Sequence, residues 1–216
     1  MMKKYFFYTL FVLTLLQAPF AAISAQFDEQ LLAIQHEWAK ANYQTQGDTK
    51  KKALETLTQK TAAFVSANPG SAEALIWDGI VNSTYAGARG GAGALKYAKK
   101  ARKDFEAAIK INPNALDGSA HTSLGSLYYK VPGFPIGFGS NKKANQHLKK
   151  ALEINPDGID SNYFYGDFLI DRKRYGEAIV ALNKAKAAAD RPNRPIADQG
   201  RRAEIDKAIV LAKSKK

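Results

Sequence analysis

The chain reads as an all-α solenoid of helix–turn–helix repeats, on three observations. The first is a small/large/small pattern that recurs in register: Ala101, Phe105 and Ala108; Ala144, Leu148 and Ala151; Ala178, Leu182 and Ala185. The second is the stop that closes two of these copies, Ile111-Asn112-Pro113 and Ile154-Asn155-Pro156. The third is a glycine inside the helix that precedes each copy, at Gly79, Gly125 and Gly166.

Positions i, i+4 and i+7 share one helical face, so each copy presents alanines that let a neighbouring helix approach closely. A glycine within a helix costs about 1 kcal/mol relative to alanine, so three of them call for a packing reason. The expectation is that the alanine side of each second helix lies against the glycine of the first. Asparagine before proline then ends the second helix, because the residue before proline is pushed out of the α region. The second and third copies begin 34 residues apart, the period of a tetratricopeptide (TPR) repeat. Such units cannot bury their apolar faces alone, and they stack.

Taken in order, residues 1–25 read as a secretory signal peptide and stand outside the fold. Lys3 and Lys4 supply the positive start, Phe6 to Leu16 the apolar run of 11 residues, and Ala21-Ala22-Ile23-Ser24-Ala25 the small-residue cleavage region. The run is shorter than the ~20 residues a spanning helix needs. Cleavage near Ala25 would place the mature chain, residues 26–216, in a bacterial periplasm with no transmembrane segment. There is no cysteine for a lipid anchor, a disulfide or a thiolate metal site.

The first repeat, about residues 27–69, pairs a helix with Phe27, Leu31, Ile34, Trp38 and Ala41 on one face with a second helix bearing Leu54, Leu57, Thr61, Phe64 and Val65. Asp48 is its expected N-cap. The next repeats span about 71–113, 115–156 and 157–190, with Ser71 capping the first helix of repeat two. Arg191-Pro192-Asn193-Arg194-Pro195 is a break. A capping helix over 196–213 carries Ile205, Ala208, Ile209 and Ala212 on one face and closes the array.

Two repeats carry extra length at the same place. From the helix glycine to the first alanine of the partner helix there are 12 residues in repeat four, 19 in repeat three and 22 in repeat two. The excess in repeat two centres on Gly87–Gly93 and that in repeat three on Val131–Gly139. Both fall at the turn between helices, so two loops should emerge side by side on one edge. The 131–139 segment holds Val131, Phe134, Ile136 and Phe138 and no charge; it either packs over the array or lines a hydrophobic site.

The formal charge is +12, or +10 without Lys3 and Lys4. The lysines fall on solvent-facing helix positions without interleaved aromatics, which argues against nucleic acid as a partner. No catalytic or cofactor-binding constellation is visible. His36, His121 and His147 have no metal-ligand spacing, and Gly137-Phe138-Gly139-Ser140-Asn141-Lys142 lacks the spacer of a phosphate loop.

One combination is more specific than the repeat. Ser83-Thr84-Tyr85-Ala86-Gly87-Ala88, then Leu127-Tyr128-Tyr129-Lys130-Val131-Pro132-Gly133-Phe134-Pro135-Ile136-Gly137-Phe138-Gly139, then Asn155-Pro156-Asp157-Gly158-Ile159-Asp160 with Asn162-Tyr163-Phe164-Tyr165-Gly166, resembles the TatT-like periplasmic TPR proteins over about residues 71–205. These include the T component associated with TRAP transporters. The resemblance implies an all-helical, oligomer-forming protein with a pore or cleft through the array. It also implies docking of a periplasmic solute-binding protein and a hydrophobic cargo. The absent lipid-attachment cysteine is a departure from that pattern.

Two site readings follow. An adaptor would hold a segment of another protein against first helices, through Ile76, Ile80, Ser83, Thr122, Ser126, Tyr129, Tyr163, Asp167 and Ile170. A carrier of a small hydrophobic molecule would line a pocket with Tyr85, Tyr128, Tyr129, Phe134, Ile136 and Phe138. An enzyme is the disfavoured third, since no titratable cluster stands out.

Overall fold

A computed structural model describes residues 17–216, with side-chain placement from residue 23 onward. Among the described residues there are nine helices and no strand: α1 (Gln17–Tyr43), α2 (Gly47–Ala67), α3 (Ala72–Arg89), α4 (Gly91–Ile111), α5 (Ala115–Lys130), α6 (Asn141–Ile154), α7 (Ile159–Asp171), α8 (Tyr175–Ala187) and α9 (Pro195–Ser214). The start of the expected signal peptide, residues 1–16, lies outside the described residues. α1 begins ten residues before the expected Phe27, so its first turns belong to the expected leader.

Helix pairs form as the motifs require. Ser71 Oγ accepts the Ala74 N–H at 3.1 Å and Ser140 Oγ accepts that of Lys143 at 3.3 Å, capping α3 and α6. α4 and α6 stop at the residue before Asn112-Pro113 and Asn155-Pro156. α2 starts one residue ahead of Asp48, which sits in the first turn near the positive helix end, with Gln46 at the N-cap position.

The packing against the glycines differs from expectation in one respect. The large middle residue of each motif, rather than its alanines, makes the nearest approach to the glycine. A Cβ on Gly79 would stand 2.5 Å from Phe105 Cε1; on Gly125, 2.7 Å from Leu148 Cγ; on Gly166, 2.7 Å from Leu182 Cγ. The missing side chain is the hole into which the partner's knob fits, and the flanking alanines let the helix axes close down around it. Phe105, Leu148, Leu182 and all the motif alanines are fully buried.

The extra length of repeat two is not a loop. α3 continues through Arg89, α4 begins at Gly91, and Gly90 alone joins them. Alanine and leucine at 86, 88, 92, 94 and 95 propagate helix, while Gly90 and Gly91 (φ 62° and 64°) supply the left-handed corner. Repeat three does form a loop, residues 131–140. Pro132 and Pro135 remove helix donors there.

The pairs curve until the ends meet. The odd-numbered helices form an unbroken inner circuit, in which α1 packs on α3, α3 on α5, α5 on α7, α7 on α9, and α9 back on α1. α2, α4, α6 and α8 lie outside it. At the closure the Tyr43 ring fills the space a Gly200 Cβ would need, and Tyr43 Oη donates to Glu204 Oε2 at 3.3 Å.

Candidate functional site

The inner circuit encloses a groove of about 710 Å³, which every odd-numbered helix helps to line. Its walls alternate by element. α1 and α3 contribute Trp38, Trp77 and Ile80, with the indoles in edge contact at 5.8 Å. Trp38 Nε1 donates to Thr84 Oγ1 at 3.0 Å, which holds that indole in place. α5 contributes hydroxyls, Ser119, Thr122, Ser123 and Ser126, which follow one another at helical spacing.

The far wall is charged. Arg201, on α9, donates from Nε to Asp160 Oδ1 at 2.7 Å and from Nη1 to Glu204 Oε2 at 2.6 Å, and lies 4.3 Å from the Tyr163 ring centre. Arg191 donates to Asp160 Oδ2 at 2.7 Å and to Asp198 Oδ1 at 2.7 Å. Burial alone would raise the Asp160 carboxyl, but the charges of Arg201 and Arg191 outweigh it and hold it below the usual carboxylate range. Burial also pushes the Tyr163 phenol up, to about 12. Arg194 is different. Its guanidinium stacks 5.0 Å from the Trp77 ring centre, it makes no ion pair among the described residues, and its buried Nε has no hydrogen-bond partner. Burial, then repulsion from Arg191, lowers it to about 10.

A second, smaller cavity of about 310 Å³ lies on the other side of Arg194, between α1 and residues 192–197. There His36 Nε2 stands 2.6 Å from the Asn193 carbonyl oxygen.

The lip of the groove at α5 is unusual. Leu116, Asp117 and Gly118 are consecutively left-handed, at φ 48°, 55° and 74°. That conformation costs leucine roughly 1–2 kcal/mol.

Of the residues expected from sequence to contact a partner, Ile80, Ser83, Thr122 and Ser126 line the groove. Ile76 is fully buried on α3. Tyr129 donates to Asp167 at 2.7 Å, and Lys130, on the groove, pairs with the same carboxylate at 2.8 Å. Burial, with the nearby Asp167 charge, raises the Tyr129 phenol well above its ordinary value. Tyr163 and Ile170 pack together with the α8–α9 core.

The residues expected around a separate hydrophobic pocket do not surround one. Tyr85 and Tyr128 are core side chains, and Phe138 packs edge-on to Tyr128. Phe134 and Ile136 point outward, 94% and 72% exposed. Arg191 and Arg194, in the break, and Arg201, on the closing helix, are groove residues outside the set expected from sequence. Three arginines within 11 residues, beside a helix glycine at 200, were the available signal. No metal-binding cluster is present among the described residues, and no described helix is long and apolar enough to cross a membrane.

Comparison with known proteins supports the repeat. A family model described as tetratricopeptide repeat matches residues 136–195. The fold is similar to that of a thermophilic TPR protein of Thermus thermophilus, with a TM-score of 0.55 at 15% identity, covering 85% of this chain and 99% of the other. A weaker likeness is to MamA, at a TM-score of 0.45 and 17% identity, covering 76% and 90%. No curated protein sequence matches significantly. The architecture is a TPR-type helix–turn–helix solenoid.

Proposed function

We propose that this TPR-type solenoid is a periplasmic scaffold that holds a segment of a partner protein in its central groove. The observation that carries the reading is the closed inner circuit, which turns the concave face of a repeat array into a bounded channel. Indoles at one wall suit apolar anchors, the α5 hydroxyls suit backbone amides, and Arg194 brings to the lining a cation without an ion-pair partner among the described residues, suited to a carbonyl or carboxylate. Export rests on the leader-like first 25 residues. The TatT-like resemblance makes a TRAP-type solute-binding protein the partner to test first.

The test is a photo-crosslinking residue at Ser126, inside the groove, compared with one at Lys149 on the exposed outer face of α6. Capture of a solute-binding protein from Ser126 alone is the expected result. Equal capture from both positions, or from neither, defeats the reading.

A second reading is favoured by the size of the groove. A volume of about 710 Å³ lies within the ~300–1,000 Å³ usual for small-molecule sites. A lipid-like molecule would lay its chain along Trp38, Trp77 and Phe164. Native mass spectrometry of the exported protein separates the two, since only a carrier brings a bound small mass with it.

A further inference from the structure

We propose that the rim of the molecule formed by the 131–140 loop and the exposed face of α4 binds an anionic lipid bilayer, with Phe134 and Ile136 entering its head-group layer. This surface is separate from the groove and stands whether or not the groove holds a protein.

The loop is built to present its tip. Its base is fastened by Phe138, which packs on Tyr128 and beneath the Arg102 guanidinium at 4.5 Å. Its backbone closes on itself, with the N–H of Gly139 donating to Pro132 O and that of Gly137 to Gly133 O, both at 2.9 Å. Ser140 N–H ties it to Tyr128 O at 2.8 Å. What remains outside is Phe134 at 94% and Ile136 at 72% exposure, the two most exposed large apolar side chains described. Nothing among the described residues covers them.

The charge left without an ion-pair partner around this tip is positive. Residues 79–103 contain six Lys or Arg and no Asp or Glu; residues 118–152 contain five and none. Lys96, Lys99 and Lys103 line a shallow furrow along α4 with Ala92 and Leu95. Lys142 and Lys143 follow the loop directly, the latter 5.3 Å from the Tyr128 ring centre. These five lysines are exposed and make no ion pair among the described residues. The neighbouring cations Lys100, Arg102 and Lys130 are already matched by Asp78, Glu106 and Asp167.

Two protruding apolar side chains are too small a core for a protein interface, which buries about 800 Å² on each partner. A bilayer needs no matching pocket. It offers a yielding apolar layer under a dense field of phosphates, and lysines meet that as mobile point charges rather than as fixed forks.

Sedimentation of the purified full chain with vesicles tests this. Vesicles of phosphatidylglycerol and phosphatidylethanolamine should carry the protein down, phosphatidylcholine vesicles should not, and salt at about 0.5 M should release it as the Debye length shrinks. The Phe134→Ser/Ile136→Ser double variant should lose about tenfold in partitioning, and Lys142→Glu/Lys143→Glu a similar factor, both with unchanged melting curves. Absence of binding to anionic vesicles overturns the proposal. So does binding that the tip variant leaves intact. A wild-type dimer that the tip variant converts to monomer also overturns it, because a second copy would then be what covers the tip.

Discussion

Repeats two and three carry extra residues at the same turn and dispose of them in opposite ways. In repeat two the surplus extends α3 and α4 until a single residue, Gly90, separates them. In repeat three the helices stop early and ten residues, 131–140, stand out as a loop. Both surpluses are rich in glycine, so glycine does not decide the outcome. The difference lies in what stands between the glycines. Alanine, leucine and lysine continue a helix in either direction from a left-handed corner, whereas Pro132 and Pro135 withhold the donors a helix requires. One solution packs Ala86, Ala94 and Tyr97 into the cluster around Tyr128; the other exposes Phe134 and Ile136.

The comparison breaks if proline is carried across it. Lys96→Pro, at an exposed site in the α4 extension, should cost about 3 kcal/mol or more by chemical denaturation and open residues 88–95 to proteolysis. An unchanged melt and cleavage pattern would show that the extension is not held as helix. Beneath the two turns the packing is alike, a large side chain seated on a glycine. Gly125→Ala brings a Cβ within 2.7 Å of Leu148 Cγ and 3.1 Å of its backbone nitrogen, which cannot swing away as a side chain could. The expected loss is about 1–3 kcal/mol.

A third test uses what repeat three has and repeat two lacks. Where Asp78, Lys100 and Asp104 join α3 to α4, a histidine pair joins α5 to α6, with Nδ1 atoms of His121 and His147 3.0 Å apart. Burial first, then the neighbouring His147 and Lys150, push His121 down to about 4; burial, and then Lys143, lower His147 despite Glu106. Both folded values lie below the unfolded value of about 6.5. The stabilisation is therefore full above pH 6.5 and is lost as pH falls toward 4. The loss should be on the order of 1–2 kcal/mol after solvent screening and should shrink in His121→Gln to the part that His147, lowered by its own burial, retains. The smallest effect is at the loop itself. Pro132→Ala should lower stability by at most about 0.4–1 kcal/mol, through the freer unfolded chain; a larger change would mean that the loop holds up the array.

The repeated unit was legible because its signals are local. The spacing of Ala144, Leu148 and Ala151, the Asn155-Pro156 stop and Gly125 all lie within one helix pair. The fate of residues 87–93 was not, because a run of four glycines within seven residues reads equally as hinge and as helix corner. The groove was half legible. Ile80, Ser83, Thr122 and Ser126 follow from the concave face of any such array. Arg194 and Arg201 reach it only because α9 comes round to α1, and that depends on the summed curvature of four helix pairs rather than on any short stretch.

That return of α9 to α1 limits what the architecture can become. Open arrays lengthen by duplication, one unit at a time, without disturbing their neighbours. Here Tyr43 and Glu204, 161 positions apart, touch. One more helix pair between α8 and α9 would carry Glu204 past its partner and leave the Tyr43 ring without its seat on Gly200. The number of units is thus locked by geometry, and the two ends of the array stand or melt together although the chain between them is assembled from neighbours.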